Sequence, residues 1–382
     1  MNEKLRKQWE DVTKMRAEYG RITDRSSRRY AHPEISKYFT AGSAVPEGST
    51  LYEATFGLVH DPDYPEDKRQ KILEAIQQEY PHPLTPGHTD SQPAHGEWMS
   101  CFVPGCPEEP DAPELNLVVR SPKIRTSNRL PALYYIGGGG HFTSYCDLNE
   151  IELLCKELNC VIIVPLIRMG KGQPYPEALN DTHAGYQWVF EHANELGINE
   201  DNITIFGLSV GGGIGLSLCF RLKRYAYSPR GIVALLPPVD DRLIYESSKV
   251  FSGQFDGYFW GTMFKLYLGK NYGSPYLGPE AVANRAKVDE CKGLPPTFIH
   301  TVELDTDRDA CMQFSQKVAA AGSFSEVHCW GGSDHMGLLF SKNSPYSARF
   351  NAVVRANIHD CMTYDLRRMW LLNEDCYDSS AH

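Results

Sequence analysis

One serine, one histidine and one acidic run in this chain have the types and settings that nucleophilic chemistry needs. Ser209 sits in Gly207-Leu208-Ser209-Val210-Gly211, after the strand-like Ile203-Thr204-Ile205-Phe206 and before a helix-like stretch from Gly212 to Phe220. A sharp strand-to-helix turn brings the two backbones so close that residues two away from the serine must lack a Cβ. Such a turn lifts the hydroxyl above the sheet edge, at a helix N-terminus whose dipole favours developing negative charge. A serine nucleophile also needs a base and an orienting acid. His335, in Ser333-Asp334-His335-Met336-Gly337, follows the last strand-like segment, and Glu303-Leu304-Asp305-Thr306-Asp307-Arg308-Asp309 follows the one before it. Asp305 lies nearest the strand end and is the favoured acid, with Asp307 and Asp309 as rivals. Singly, each has a plainer reading: Asp305 as a helix cap, His335 as a loop histidine.

The run Gly137-Gly138-Gly139-Gly140 follows a strand and precedes His141-Phe142. Glycine lets backbone N–H groups point at an oxyanion without obstruction. Phosphate cradling is disfavoured: no Gly-Lys-Ser/Thr is present, and no G-x-G-x-x-G opens a helix with an acidic ribose partner.

The elements that must position these groups alternate. Trp98–Val103 and Leu115–Arg120 read as a hairpin, and Pro131–Ile136, Cys160–Pro165, Ile203–Phe206, Gly231–Leu236, Thr297–Thr301 and Glu326–Trp330 as further strands. Helices are expected over Leu148–Leu158, over Asp181–Leu196 with Asp181 as cap, over Ala310–Ala321, and from Ser344 with Pro345 in its first turn. Alternation of this kind means an α/β chain with a mostly parallel central sheet and helices on both faces. Residues 1–95 form an N-terminal extension expected to contribute to a cap, and 96–382 the catalytic domain. Within it, the aromatic-rich stretch of about 237–295 reads as a cap insertion, part of it serving as a satellite hydrophobic core. No internal repeat appears.

The bulk numbers exclude several classes. A net charge of −10 over 382 residues argues against nucleic acid or an anionic membrane as partner. No apolar run is long enough to span a bilayer. The start Met1-Asn2-Glu3-Lys4 has no signal-peptide pattern, and eleven scattered cysteines read as free thiols, so a cytoplasmic location is expected. Without CxxC or HExxH, neither a metal site nor a cofactor is expected.

Taken together, these residues resemble the hormone-sensitive-lipase-like branch of the α/β-hydrolases, over roughly residues 95–370. The resemblance is carried by Tyr134-Tyr135-Ile136 with the glycine run, by Pro174-Tyr175-Pro176-Glu177-Ala178-Leu179-Asn180-Asp181, and by Tyr186-Gln187-Trp188-Val189. It continues through Leu196–Ile203, the Ser209 turn, Leu294–Ile299, Glu303-Leu304-Asp305 and Asp334-His335-Met336-Gly337. The chain order Ser209, Asp305, His335 is the order this fold uses. The resemblance implies a serine carboxylesterase with an N-terminal lid and an oxyanion hole of backbone amides, here Gly138, Gly139, Gly140 and Val210. Three departures stand out. Gly137 replaces the histidine of the family's His-Gly-Gly-Gly, with His141 following instead; Leu208 replaces the usual acid before the nucleophile; and Ile167–Gly172 replaces a Tyr-Arg-Leu-Ala-Pro-like segment.

The expected substrate is a small-molecule carboxylic ester, apolar or ring-bearing, or a lactone, met by His141, Phe142, Tyr145, Tyr258, Phe259 and Trp260. The aromatic residues of the insertion read equally as cap core. Acyl transfer or elimination and cyclisation on the same three residues, and a non-catalytic small-molecule receptor, remain alternatives. A homodimer is left open.

Overall fold

The computed structural model describes Pro33 and residues 97–367, apart from positions 142, 143, 145, 147, 171, 172, 226, 251–254, 336 and 341–343. The expectations for the N-terminal extension, Pro33 aside, lie outside the described residues.

Eight strands form one sheet in the order β1-β2-β4-β3-β5-β6-β7-β8. They are β1 (Glu97–Val103), β2 (Leu115–Ser121), β3 (Leu130–Ile136), β4 (Val161–Pro165), β5 (Ile198–Leu208), β6 (Gly231–Leu235), β7 (Thr297–Val302) and β8 (Ser325–Trp330). β1 pairs with β2 and β2 with β4 antiparallel, while every other pairing is parallel. The hairpin read from the sequence is therefore present at one edge. β4 and β6 are buried along their whole length, which matches their unbroken apolar sequences.

Neighbouring residues on a strand serve opposite faces. Tyr134 and Ile205 belong to the core on one face, Tyr135 and Phe206 to the core on the other. The first face is covered by α2 (Glu177–Glu191), the short α3 (Ala193–Leu196), α4 (Val210–Leu222) and α7 (Arg308–Ala320). The second is covered by α1 (Leu148–Leu158), α8 (Gly337–Phe340) and α9 (Pro345–Thr363). α9 starts as its sequence suggests: Ser344 Oγ accepts from Ser347 N at 3.0 Å, with Pro345 in the first turn. Among the described residues, no helix is long and apolar enough to cross a membrane, and none of the ten described cysteines is in a disulfide.

One helix departs from expectation. Asp181 does not cap it; α2 begins one turn earlier, at Glu177 behind Pro176, and stops at Glu191 before the separate α3. Asp181 is buried inside α2, where its carboxylate accepts from the Arg168 backbone N at 2.7 Å and from the guanidinium at 2.7–3.0 Å. A charge-assisted pair of this kind outweighs a helix cap, which satisfies only one or two amides.

Between β6 and β7 lie α5 (Glu246–Val250), α6 (Phe255–Leu268) and three short 3-10 turns. Met263, Phe264, Tyr267 and Leu268 of α6 pack with Ala281 and Val282 into the first-face core. Part of this aromatic-rich stretch is thus core in its own right.

Candidate active site

β5 ends at Leu208, and the chain turns at once into α4 through Ser209, whose φ of 53° and ψ of −122° are strained for a residue with a side chain. The surrounding backbone holds that strain in place: Ser209 N donates to Leu235 O at 2.7 Å, and Ser209 O accepts from Gly212 N at 2.8 Å. The two flanking glycines are obligatory. A Cβ on Gly207 would stand 2.5 Å from Gly212 Cα, and one on Gly211 would stand 2.2 Å from Ile136 O.

The structure brings Ser209, Asp305 and His335 together. Ser209 Oγ is 3.0 Å from His335 Nε2, and His335 Nδ1 is 2.7 Å from Asp305 Oδ2. A carboxylate only accepts, so Nδ1 carries the proton, and in the neutral ring Nε2 presents its lone pair to the hydroxyl. The arrangement can therefore draw a proton from Ser209 and hold the resulting imidazolium against a carboxylate. All three are buried, and Asp305 is wholly so. Asp305 Oδ1 accepts from Asp307 N at 3.1 Å and from Thr306 Oγ1 at 3.4 Å. The rival acids are employed differently. Asp307 gives Asp305 its backbone amide, and Asp309, already within α7, accepts from Ser247 N and Arg308 Nε at 2.8 Å.

The loops after β7 and β8 are laced to each other. Leu304 N donates to Ser333 O at 3.0 Å, Gly332 N to Glu303 Oε2 at 2.7 Å, and Gly337 N to Asp334 Oδ1 at 2.7 Å. Glu303, which the sequence showed only as part of Glu303-Leu304-Asp305, is a brace between the two loops, a role that nothing local marks out.

The glycine run passes beside the nucleophile: a Cβ on Gly138 would stand 3.0 Å from Leu208 O and 3.4 Å from Ser209 Cβ. Gly139, Gly140 and His141 then have successive positive φ values of 121°, 66° and 60°. Val210 opens α4, where first-turn amides have no partner inside the helix. His141 turns inward. It is buried, its ring stacks on Tyr267 of α6 at 4.2 Å and 9°, and burial drives its pKa down to about 3, so it is neutral. Phe142 and Tyr145 lie outside the described residues. Tyr258, Phe259 and Trp260 are helical, in α6, with side chains outside the description.

Behind the rim, Arg168 is forked between Asp181 and Glu109, the latter at 2.7 and 2.8 Å. These two carboxylates raise its pKa further, and Arg168 holds Glu109 below the usual carboxylate range. The sequence showed Arg168 only as part of a departing segment, because its partners lie far away along the chain.

Comparison with known proteins bears on the family and the fold. The alpha/beta hydrolase fold family matches residues 133–339, more than half of the chain. The chain is 23% identical over 221 residues to esterase LipI of Mycobacterium tuberculosis (strain ATCC 25618 / H37Rv), covering 52% of this chain and 62% of LipI. It is 26% identical to esterase LipU of the same strain, covering 56% of this chain and 74% of LipU. The matched region thus spans less than two thirds of LipI. Among solved structures, a bacterial heroin esterase superposes with a TM-score of 0.72 at 22% identity, over 89% of this chain and 100% of that one, a likeness of fold. The chain belongs to the alpha/beta hydrolase fold family, in the hormone-sensitive-lipase-like branch that its sequence resembles.

Proposed function

We propose that the chain is a serine hydrolase acting on small carboxylic esters through an acyl-enzyme. The observation that carries this reading is the unbroken relay from Ser209 Oγ to His335 Nε2 at 3.0 Å and from His335 Nδ1 to Asp305 Oδ2 at 2.7 Å. Its three members stand at the ends of β5, β7 and β8, on the rim where open α/β sheets place their sites. That several relatives are named esterases supports the reaction class.

In this mechanism His335 takes the Ser209 proton as the hydroxyl attacks the ester carbonyl. Asp305 keeps the ring in the tautomer with Nδ1–H and balances the imidazolium. Amides of Gly138, Gly139, Gly140 and Val210 receive the oxyanion; the nearness of Gly138 to Ser209 and the α4 dipole support that assignment. His335 then returns its proton to the leaving alkoxide, the alcohol departs, and a water activated by His335 hydrolyses the acyl-enzyme. His141, buried against Tyr267, serves in this reading to steady the oxyanion loop, with the aromatic residues Phe142, Tyr145, Tyr258, Phe259 and Trp260 meeting the ester. An ester and lactone panel with the purified chain, together with fluorophosphonate labelling, tests the proposal. Turnover with a label on Ser209 supports it. Absence of both, or a label on another serine, overturns it.

A further inference from the structure

A second cluster of chemically capable side chains lies away from the Ser209 relay. β1 runs parallel to β4, since each is antiparallel to β2, so the loop leaving Val103 emerges on the same rim as the other site loops. In that loop Glu109 N donates to Cys106 O at 3.0 Å, closing a tight turn that sets Cys106 and Glu108 beside each other. His183, in the second turn of α2, completes the group. One ligand atom from each of Cys106, Glu108 and His183 lies within 4.8 Å of the others. Cys106 and His183 are each 1% exposed, whereas Glu108 faces solvent.

The histidine carries the independent signal. His183 Nδ1 is buried with no hydrogen-bond partner. The other ring nitrogen, Nε2, faces Tyr227 Oη at 3.4 Å. Leaving a ring nitrogen dry and unbonded is unfavourable. One nitrogen with an outer partner and one without is the pattern of a metal-ligating imidazole.

We propose that Cys106, Glu108 and His183 bind a zinc-type dication that ties the β1–β2 loop to α2, separate from the Ser209 site. A thiolate, an imidazole and a carboxylate form a borderline-soft donor set, which suits zinc better than calcium or magnesium. Donors on a tetrahedral zinc stand about 3.3–3.8 Å apart, so the group has to close by at most about 1 Å. Glu108, the exposed member, supplies that movement by giving up the hydrogen bond its Oε1 accepts from Tyr225 Oη or by turning Oε2 to the metal, and the fourth position falls to water. Binding converts the Cys106 thiol to a thiolate and releases its proton to solvent. The two anionic ligands then balance the dication. The neighbouring Arg221 is engaged elsewhere, with Asn180 Oδ1 at 2.7 Å and Glu280 Oε2 at 3.1 Å. No local motif reveals this site, because two ligands share one turn and the third lies on a distant helix.

The test titrates the metal-free full chain with Co²⁺ and then Zn²⁺. The expected result is one Co²⁺ per chain with a thiolate-to-cobalt charge-transfer band in the near ultraviolet, displaced by Zn²⁺, with about one proton released. Cys106→Ser removes the band, and Glu108→Gln and His183→Asn each weaken binding at least tenfold. Glu108 is exposed, so its variant keeps the test decisive even where Cys106→Ser does not fold. The proposal is overturned by an absence of saturable binding at micromolar Co²⁺, by a band that persists in Cys106→Ser through another of the eleven cysteines, or by wild-type affinity in Glu108→Gln.

Discussion

The Ser209 turn and the glycine loop beside it face each other across the sheet rim, yet they are held by different means. The turn is over-determined by backbone. It is hydrogen-bonded to β6 through Leu235 O, sealed by glycines that tolerate no Cβ, and matched by acid and histidine loops laced through Glu303 and Ser333. The loop of Gly137 to His141 has a run of positive φ and one described aromatic anchor, the His141–Tyr267 stack. The difference teaches that the atoms of the proton relay are positioned by the sheet itself. Of the amides proposed for the oxyanion, Val210 belongs to that same turn and Gly138 packs against Leu208, whereas Gly139 and Gly140 lie next to a side-chain contact with α6, an element inserted between β6 and β7. The chain carries Gly137 where the family it resembles writes a histidine, and His141, after the glycine run, turns onto α6.

Substitutions at five positions break or sharpen this contrast. Ser209→Ala removes the nucleophile and lowers kcat by about 10⁴-fold or more, read by steady-state ester hydrolysis alongside loss of fluorophosphonate labelling. Asp305→Asn keeps the shape but reverses the His335 tautomer, for a loss of about 10⁴-fold, whereas Asp307→Asn, which keeps the backbone amide, has a far smaller effect. The opposite ranking in parallel kinetics reassigns the acid. His141→Ala removes a stack worth about 0.5–1.5 kcal/mol, a change of about two- to tenfold in kcat with Ser209 labelling preserved. His141→Phe recovers most of that loss if stacking is the function, and equal rates for both variants dismiss the anchor. The smallest effect belongs to Glu109→Gln, behind the rim. Arg168 lowers the Glu109 pKa, so the pair contributes stability that is present above the ordinary glutamate range and fades as pH falls through the lowered value. The variant should lose stability near neutrality yet show a flatter decline below about pH 4.5 in acid denaturation, and a decline parallel to wild type excludes the linkage.

Much of this molecule was legible before any coordinates, for local reasons. Strands β3, β4 and β6 were legible as short apolar runs, since the middle of a parallel sheet covered on both faces buries nearly every side chain, whereas the edge strand β8 is only partly buried. The Ser209 turn was legible because close backbone approach admits only glycine at 207 and 211, whatever the rest of the fold does. Ser344 and Pro345 marked the start of α9 for equally local reasons of capping. Asp181 misled because capping is a local preference, and the buried pair with Arg168 is a long-range contact that overrides it. The choice of Asp305 over its two rivals as the carboxylate on His335, the inward turn of His141 onto Tyr267, and the meeting of Cys106, Glu108 and His183 all join residues distant in the chain. The order of residues determined which backbones had to turn and which segments had to be buried, because propensity and periodicity act over a few positions. Only the tertiary structure decided which polar atoms met, because a hydrogen bond is made or lost within an ångström, and that distance is set by the packing of the whole sheet.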